Sequence, residues 1–319
     1  MKINYHQPIR IAIIGTGNVG ATFAYALALS GLASEIVLID ANPKKAEGEA
    51  MDLNHAIPLA QPCRIWAGSY EDCRNAIITV VTAGAAQKQG ENRLDLLERN
   101  NDIFRAIIPE IVKHNSDGII LIATNPVDIL THIAWKLSGM APERVIGSGT
   151  ILDTARFRHL LSQHFDVDPR SVHAYIIGEH GDSEVPVWSL ANIAGMRLPD
   201  FCAVNGFHCQ DEQLNTIFEQ TRSAAYHIIE RKGATFYAIG TGLVRIVEAI
   251  IRDQGTVLSV SSRLKDYYGI DDLYLSMPCV IDRSGIKRTI RLDLAENEIL
   301  GLQNSAEILH SQLELLGYA

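Results

Sequence analysis

Chemistry in this chain starts at Ile177-Gly178-Glu179-His180-Gly181-Asp182-Ser183. Histidine changes charge near neutral pH, which suits it to passing protons. The neighbouring glycines leave the backbone bare, so a substrate or cofactor can come close to the ring. The preceding run Ala174-Tyr175-Ile176-Ile177 reads as a buried strand. A structural histidine at a strand end is the plainer alternative. A second set lies on the helix expected from Ile151, where Asp153 and Arg156 are three residues apart and share a face. Arg158 lies about 200° round the helix from Arg156 at ~100° per residue, so the two arginines serve different neighbourhoods. An ordinary Asp–Arg surface pair competes with any catalytic use.

The elements that must position these groups begin with a place for a dinucleotide. Ile11-Ala12-Ile13-Ile14 is a short apolar run followed at once by Gly15-Thr16-Gly17-Asn18-Val19-Gly20. Val19, Phe23, Leu27 and Ser30 then fall at helical spacing, and Gly31 is placed to end that helix. Strand, glycine turn and helix form the context that a G-x-G-x-x-G pattern requires. Gly15 makes the turn, Gly17 lets a pyrophosphate approach, and Gly20 allows the helix to pack on the strand. The next strand, Glu35 to Asp40, ends in a carboxylate twenty residues past Gly20. There it accepts hydrogen bonds from ribose hydroxyls and repels a 2′-phosphate, which favours NAD over NADP. A glycine turn in an unrelated fold with a chance Asp is the alternative.

Further apolar strands are expected at Ile77–Thr82, Ile119–Thr124 and Arg144–Ile146, separated by helical patterns. Strands alternating with helices imply a Rossmann-type, doubly wound parallel sheet whose ligands bind at the carboxyl ends of the strands. Two of those ends are Thr82-Ala83-Gly84 and Thr124-Asn125-Pro126. Between them the polar Gln87–Arg93 stretch is either a lid or a solvated turn, and leads into a helix with Leu94, Leu97, Ile103, Phe104, Ile107, Ile108 and Ile111 mostly on one face. Gly147-Ser148-Gly149-Thr150 marks a boundary between a cofactor domain, residues 1–149, and a mixed α+β substrate domain, 150–319. In the second half, Val185–Ser189 reads as a connection entering a short helix, 211–232 as an amphipathic helix, Leu273–Ile281 and Thr289–Leu294 as strands, and Glu307–Leu316 as a closing helix.

Composition narrows the class. The 319 residues are 47% hydrophobic and 20% charged, with a formal net charge of −9, which argues against nucleic acid or an anionic membrane surface as the main partner. An anionic ligand must then be held by locally placed arginines. Five cysteines, with no CxxC pair and no metal-type spacing, fit free thiols in a reducing compartment. Residues 1–10 lack the apolar core of a signal peptide, and no apolar run is long enough to span a membrane, so a cytoplasmic location is expected.

With these residues in view, the chain resembles the L-lactate dehydrogenases of the lactate/malate dehydrogenase superfamily, most nearly the bacterial allosteric ones. GTGNVG, the Gln87–Arg93 loop, ATNPVD, GSGTILDTARFR and AYIIGEHGDS occur in that family's order from about Arg10 to the C-terminus. The resemblance implies that His180 is the proton donor and that Asp153 orients its ring and stabilises the imidazolium. It makes Arg156 the residue that grips the substrate carboxylate through two parallel hydrogen bonds. Arg93 becomes the lid arginine that polarises the reacting carbonyl in a site dried by closure. Asn125, Asp128 and Thr235 match substrate-positioning residues. Gly15, Gly17, Val19, Gly20, Asp40, Lys45, Tyr70, Gly84, Ala85, Ala123, Asn125 and Ser148 match cofactor contacts for NAD.

Lactate or malate turns on position 87, where malate dehydrogenases carry an arginine that pairs with the second carboxylate of oxaloacetate. Gln87 is neutral, and enclosing an unpaired carboxylate costs several kcal/mol, a preference on the order of a thousandfold for pyruvate. Arg158 and His173 match the pair that binds fructose 1,6-bisphosphate across a subunit interface in the allosteric enzymes. The short N-terminus, without the longer arm of the animal enzymes, fits a bacterial homotetramer. Gln89 stands where close bacterial relatives often have proline, a departure that bears on lid motion. The rival expectations are a dehydrogenase for malate or bulkier 2-hydroxy acids, and a non-catalytic NADH-sensing protein on the same fold.

Overall fold

The computed structural model describes residues 8–85, 93–207 and 209–318. The first half runs β1 (Arg10–Ile14), α1 (Asn18–Ser30), β2 (Glu35–Ile39), α2 (Pro43–Ala56), β3 (Arg64–Ala67), β4 (Ile78–Val81), α3 (Arg93–His114), β5 (Ile119–Ile122), α4 (Val127–Ser138) and β6 (Val145–Gly147). These strands pair in parallel in the order β3-β2-β1-β4-β5-β6. With helices on both faces, such strands must be apolar throughout, and Ile11–Ile14, Ile78–Val81 and Ile119–Ile122 are all buried. The strand order reverses between β1 and β4, which opens a crevice at their carboxyl ends. Gly31, in the left-handed region at φ 67°, ends α1 where its spacing predicts.

The second half comprises α5 (Ile151–Phe165), β7 (Val172–His173), β8 (Ile176–Ile177), β9 (Val185–Pro186), β10 (Asn192–Ile193), β11 (Met196–Arg197), α6 (Leu198–Asn205), α7 (Asp211–Lys232), α8 (Tyr237–Ile251), β12 (Thr256–Leu264), β13 (Leu273–Asp282), β14 (Gly285–Thr289) and α9 (Glu296–Leu315). Strands β12–β14 are antiparallel and extend the first sheet, β12 meeting β6 at Ser261 and Gly147, to give nine strands among the described residues. One core therefore runs across this sheet and under α8 and α9, from Ile11 and Phe23 to Leu275 and Leu309. A second core, built on Phe157, Leu161, Phe165, Val172 and Ile193, packs α5 against the small β7–β10–β11 sheet, α6 and α7. Among the described residues no helix is long and apolar enough to cross a membrane.

Four expectations about elements are corrected. The strand read at Ala174–Ile177 is broken: β7 and β8 belong to different sheets, because the Ala174 carbonyl accepts from Arg158 Nε (2.9 Å) and the Tyr175 carbonyl from Val187 N (3.0 Å). No helix follows Val185. The segment pairs as β9 with β8, then turns where Ser189 donates its N–H to Glu298 at 2.9 Å. The strand expected at Thr289–Leu294 is instead β14, ending at Thr289; beyond it the backbone at Ile290, Leu292 and Leu294 bonds to the hydroxyls of Tyr267 and Tyr268. The last helix starts at Glu296, well before Glu307, where the Glu298 carboxylate accepts the Ala295 N–H at 2.9 Å. A fifth correction concerns the thiols. The turn after α6 brings Cys209 back onto Cys202, and the two form a disulfide with Cα atoms 6.1 Å apart, leaving Cys63, Cys73 and Cys279 free.

Candidate active site

At the crevice the glycine turn is shaped by contact. A side chain at Gly20 would sit 2.0 Å from the Gly15 carbonyl oxygen, so α1 can lie this close to β1 only without one. A Cβ at Gly17 would meet no protein atom within 4 Å, and this bare position caps the N-terminus of α1. Open backbone at a helix N-terminus fits a pyrophosphate. Asp40, just past β2, accepts from Thr16 N (2.7 Å), Thr16 Oγ1 (2.9 Å) and Asn42 N (2.9 Å). Burial pushes its carboxyl up, but these bonds and the charge of Lys45 hold it below the usual range, so it stays ionised and fit to accept ribose hydroxyls. The half-buried Tyr70 lies close enough to feel the Asp40 charge.

The other strand ends complete the crevice. Ala85 N donates to Asn100 Oδ1 at 2.7 Å, and Asn100 Nδ2 donates to the Asn125 carbonyl at 3.1 Å. The buried Asn100, on α3, thus ties the loop after β4 to the loop after β5. Gly84 packs against Thr124, Ala123 donates its N–H to Val81 at 2.9 Å, and the buried Ser148 follows β6. Val19, half-buried, opens α1.

His180 sits between β8 and β9. Its Nδ1 lies 2.5 Å from Asp153 Oδ2, and its backbone N–H donates to Asp128 Oδ2 at 2.7 Å. Asp128, on α4, takes the Ser276 hydroxyl on its other oxygen at 2.9 Å. Asp153, on α5 and 2% exposed, accepts Arg156 Nη1 on Oδ1 at 2.8 Å. A surface pair is thereby excluded. Burial alone pushes the ring toward neutrality, but Asp153 first, then Asp128 and Glu184, outweigh it and raise His180 to about 9. Asp153 is held below its usual range: burial opposes ionisation, and His180 and Arg156 overcome it. At neutral pH the ring is an imidazolium with Nδ1 committed to Asp153, which leaves Nε2 to hand over a proton.

One sequence expectation fails here. Gly178 does not clear a path to the ring: at φ 88° its bare side faces Ser305, 2.8 Å from where a Cβ would lie, and its backbone pairs with Ser276. Together with the Ser305 hydroxyl on Glu179 N (2.8 Å), this fixes the histidine segment to α9 and β13.

A cavity of ≈ 460 Å³ joins Asn125, Asp153, Arg156, His180, Glu184 and Arg222, with Leu97 and Ile229 among its apolar walls. The structure thus gathers His180, Asp153, Arg156 and Asn125 in one place, with Asp128 behind them. Thr235, half-buried between α7 and α8, is outside the cavity lining. Gln87 and Gln89 lie outside the described residues, as does the side chain of Arg93, the first residue of α3. Arg158 points the other way, its Nε on the Ala174 carbonyl and its guanidinium 5.0 Å from the Tyr175 ring, beside the exposed His173. Sequence reasoning passed over Asn100, Glu184, Arg222, Ser276 and Ser305. Asn100 and Ser276 carried a signal, each a polar residue inside an apolar helix or strand pattern.

A parallel sheet with a glycine turn, an ionised Asp40 at the second strand and an imidazolium in a cavity beside them define an NAD-dependent dehydrogenase. Residues 9–147 match the lactate/malate dehydrogenase NAD binding domain, and residues 150–316 match the lactate/malate dehydrogenase alpha/beta C-terminal domain. The chain is 53% identical to an L-lactate dehydrogenase of Priestia megaterium over 310 residues, 97% of both proteins. It is 52% identical to the L-lactate dehydrogenase of Acetivibrio thermocellus over 96% of this chain and 97% of that one. The solved structure of the minor L-lactate dehydrogenase from Enterococcus mundtii superposes with a TM-score of 0.94 at 41% identity, over 97% of this chain and 98% of that one. The chain belongs to the lactate/malate dehydrogenase family, among the L-lactate dehydrogenases, and NAD is its cofactor.

Proposed function

We propose that this enzyme interconverts pyruvate and L-lactate as a cytoplasmic, fermentative dehydrogenase, with residues 1–149 presenting the cofactor and 150–319 the substrate. The observation that carries the reading is Asp153, one carboxylate bonded to both His180 and Arg156. A small 2-oxo acid fits between them, with its carboxylate on the Arg156 guanidinium and its carbonyl oxygen toward His180 Nε2. Bound NADH supplies the hydride to carbon. His180 supplies the proton to oxygen, and Asp153 stabilises the imidazolium before transfer and keeps the ring in place after it. Asp128 holds the histidine backbone from behind, Asn125 and Thr235 orient the substrate, and Arg93 polarises the carbonyl. Gln87 leaves a second carboxylate without a partner, which favours pyruvate over oxaloacetate. The names of the full-length relatives support the same substrate.

Regulation belongs to the other side of α5. Arg158, bonded to the carbonyl of Ala174, and the exposed His173 one residue before it would form with a second subunit a site of two arginines and two histidines for the two phosphates of fructose 1,6-bisphosphate in a homotetramer. The test is NADH oxidation with pyruvate and with oxaloacetate, each with and without the bisphosphate. Fast pyruvate turnover that rises with the effector is expected. Preference for oxaloacetate would overturn the substrate reading, and a flat response to the bisphosphate would overturn the effector site alone.

A further inference from the structure

Glu184 is a buried acid that the reaction above does not use. It is 7% exposed, it lines the same cavity as His180, Arg156 and Arg222, and its Oε1 is buried with no hydrogen-bond partner. A carboxylate left this way is costly unless it is neutralised. Several charged and polar groups line the cavity with it. From α5 come Asp153 and Arg156; from its own segment come His180, Glu179 and Asp182; from α7 come Arg222 and Tyr226. The cavity wall contributed by α9, Gln312 and Leu315, brings no charge. On this lining the acids Asp153, Glu179, Asp182 and Glu184, with Asp128 behind His180, outnumber the cations His180, Arg156 and Arg222. A substrate carboxylate adds a further negative charge to a cavity of ≈ 460 Å³ that already holds this buried acid.

We infer that Glu184 must be protonated for the 2-oxo acid anion to seat against Arg156, so that where Glu184 is ionised it takes up a solvent proton as the anion binds and releases it when the product anion leaves. The step is a simple protonation: an O–H bond forms on the carboxylate, the proton comes from water, and no electrons change hands. Burial, then the charge of Asp153, push Glu184 up to about 8 against the pull of His180, Arg156 and Arg222, so below that pH it already holds its proton, and above it the anion must bring one in. Glu184 is a positioning residue in this scheme and does not touch the reacting atoms. It makes substrate affinity, rather than the chemical step, the quantity that fails at alkaline pH.

The inference rests on the substrate reading above. Oxamate, the amide analogue of pyruvate that accepts no hydride, is titrated into the enzyme–NADH complex from pH 7 to 10.5, with NADH affinity measured at each pH as the control. His180 and Glu184 titrate as an interacting pair, so the limiting slope counts protons where individual midpoints cannot. In the unmodified enzyme, oxamate affinity should fall toward about a hundredfold per pH unit above pH 9, against about tenfold in Glu184→Gln. KM for pyruvate should follow the same slopes while kcat follows neither. A limit of about tenfold per unit in the unmodified enzyme overturns the inference without recourse to any variant, and so does a Glu184→Gln enzyme that keeps the hundredfold slope. Binding of NADH without oxamate at any pH would remove the substrate reading itself, an outcome distinct from a one-proton slope.

Discussion

Asp153 divides its two oxygens between His180 and Arg156, so the proposed proton donor and the proposed anion grip share one buried anchor. Asp153→Asn keeps the shape and removes the charge. His180 then loses the largest influence holding it up at about 9, and burial drives it down toward or below its ordinary 6.5. We expect kcat/KM for pyruvate at pH 7.5 to fall on the order of a hundredfold or more, and to recover partly as the pH is lowered. The pH profile of the variant checks this, and an unmoved alkaline limb would contradict it. The same ionisation contributes to folding. Because the folded state holds the His180 proton more tightly than the unfolded chain, that stabilisation is complete below about pH 6.5 and is lost as pH rises through about 9. His180, and Asp153 with Arg156 three residues on, were legible in the sequence as candidates by residue type and spacing, but their roles and their meeting in one site came from the resemblance to the lactate dehydrogenases. Glu184 was not, because its meaning comes from what surrounds it in space.

Among the elements, α3 shows how a helix can brace two loops it does not continue. Asn100 reaches across to Ala85 and Asn125, and its truncation leaves a buried N–H and carbonyl without partners. Asn100→Ala should cost about 1–3 kcal/mol of stability. It should also weaken NADH binding, because both loops line the cofactor crevice. Thermal melts and a fluorescence titration with NADH read the two effects. A variant that melts normally and binds NADH normally would reduce Asn100 to an ordinary core polar residue. The strand–turn–helix at β1–α1 was readable because it is local: turn, cap and packing glycine fall within Gly15–Gly20. Elements failed to read where backbone groups bond to side chains far along the chain. Tyr267 and Tyr268 hold the segment taken for a strand at Thr289–Leu294, and Arg158 splits the one at Ala174–Ile177. Ser276 and Asp128 meet across 148 residues, a distance no local pattern encodes.

For the whole molecule, the exposed apolar side chains Tyr25, Leu29, Met51 and Leu59 on and after α1 and α2 are the kind of surface that subunit contacts cover. Light scattering should give the mass of four 35.1 kDa chains, and a persistent monomer would overturn the tetramer and with it the effector site. The division into a cofactor half and a substrate half is a matter of sequence more than of mechanics, because the large core and the nine-stranded sheet run through it. That continuity has a bearing on descent by recombination. At the seam, a Cβ on Gly147 would lie 2.4 Å from Thr131 Oγ1 and 2.7 Å from the Cβ of Ser261. A chimera that takes one half from a relative inherits only one side of this fit, and any mismatch opens two raw strand edges inside the protein. Glycine at 147 and a small residue at 261 must therefore travel together, and the halves of this enzyme are heritable as a matched pair rather than as interchangeable parts.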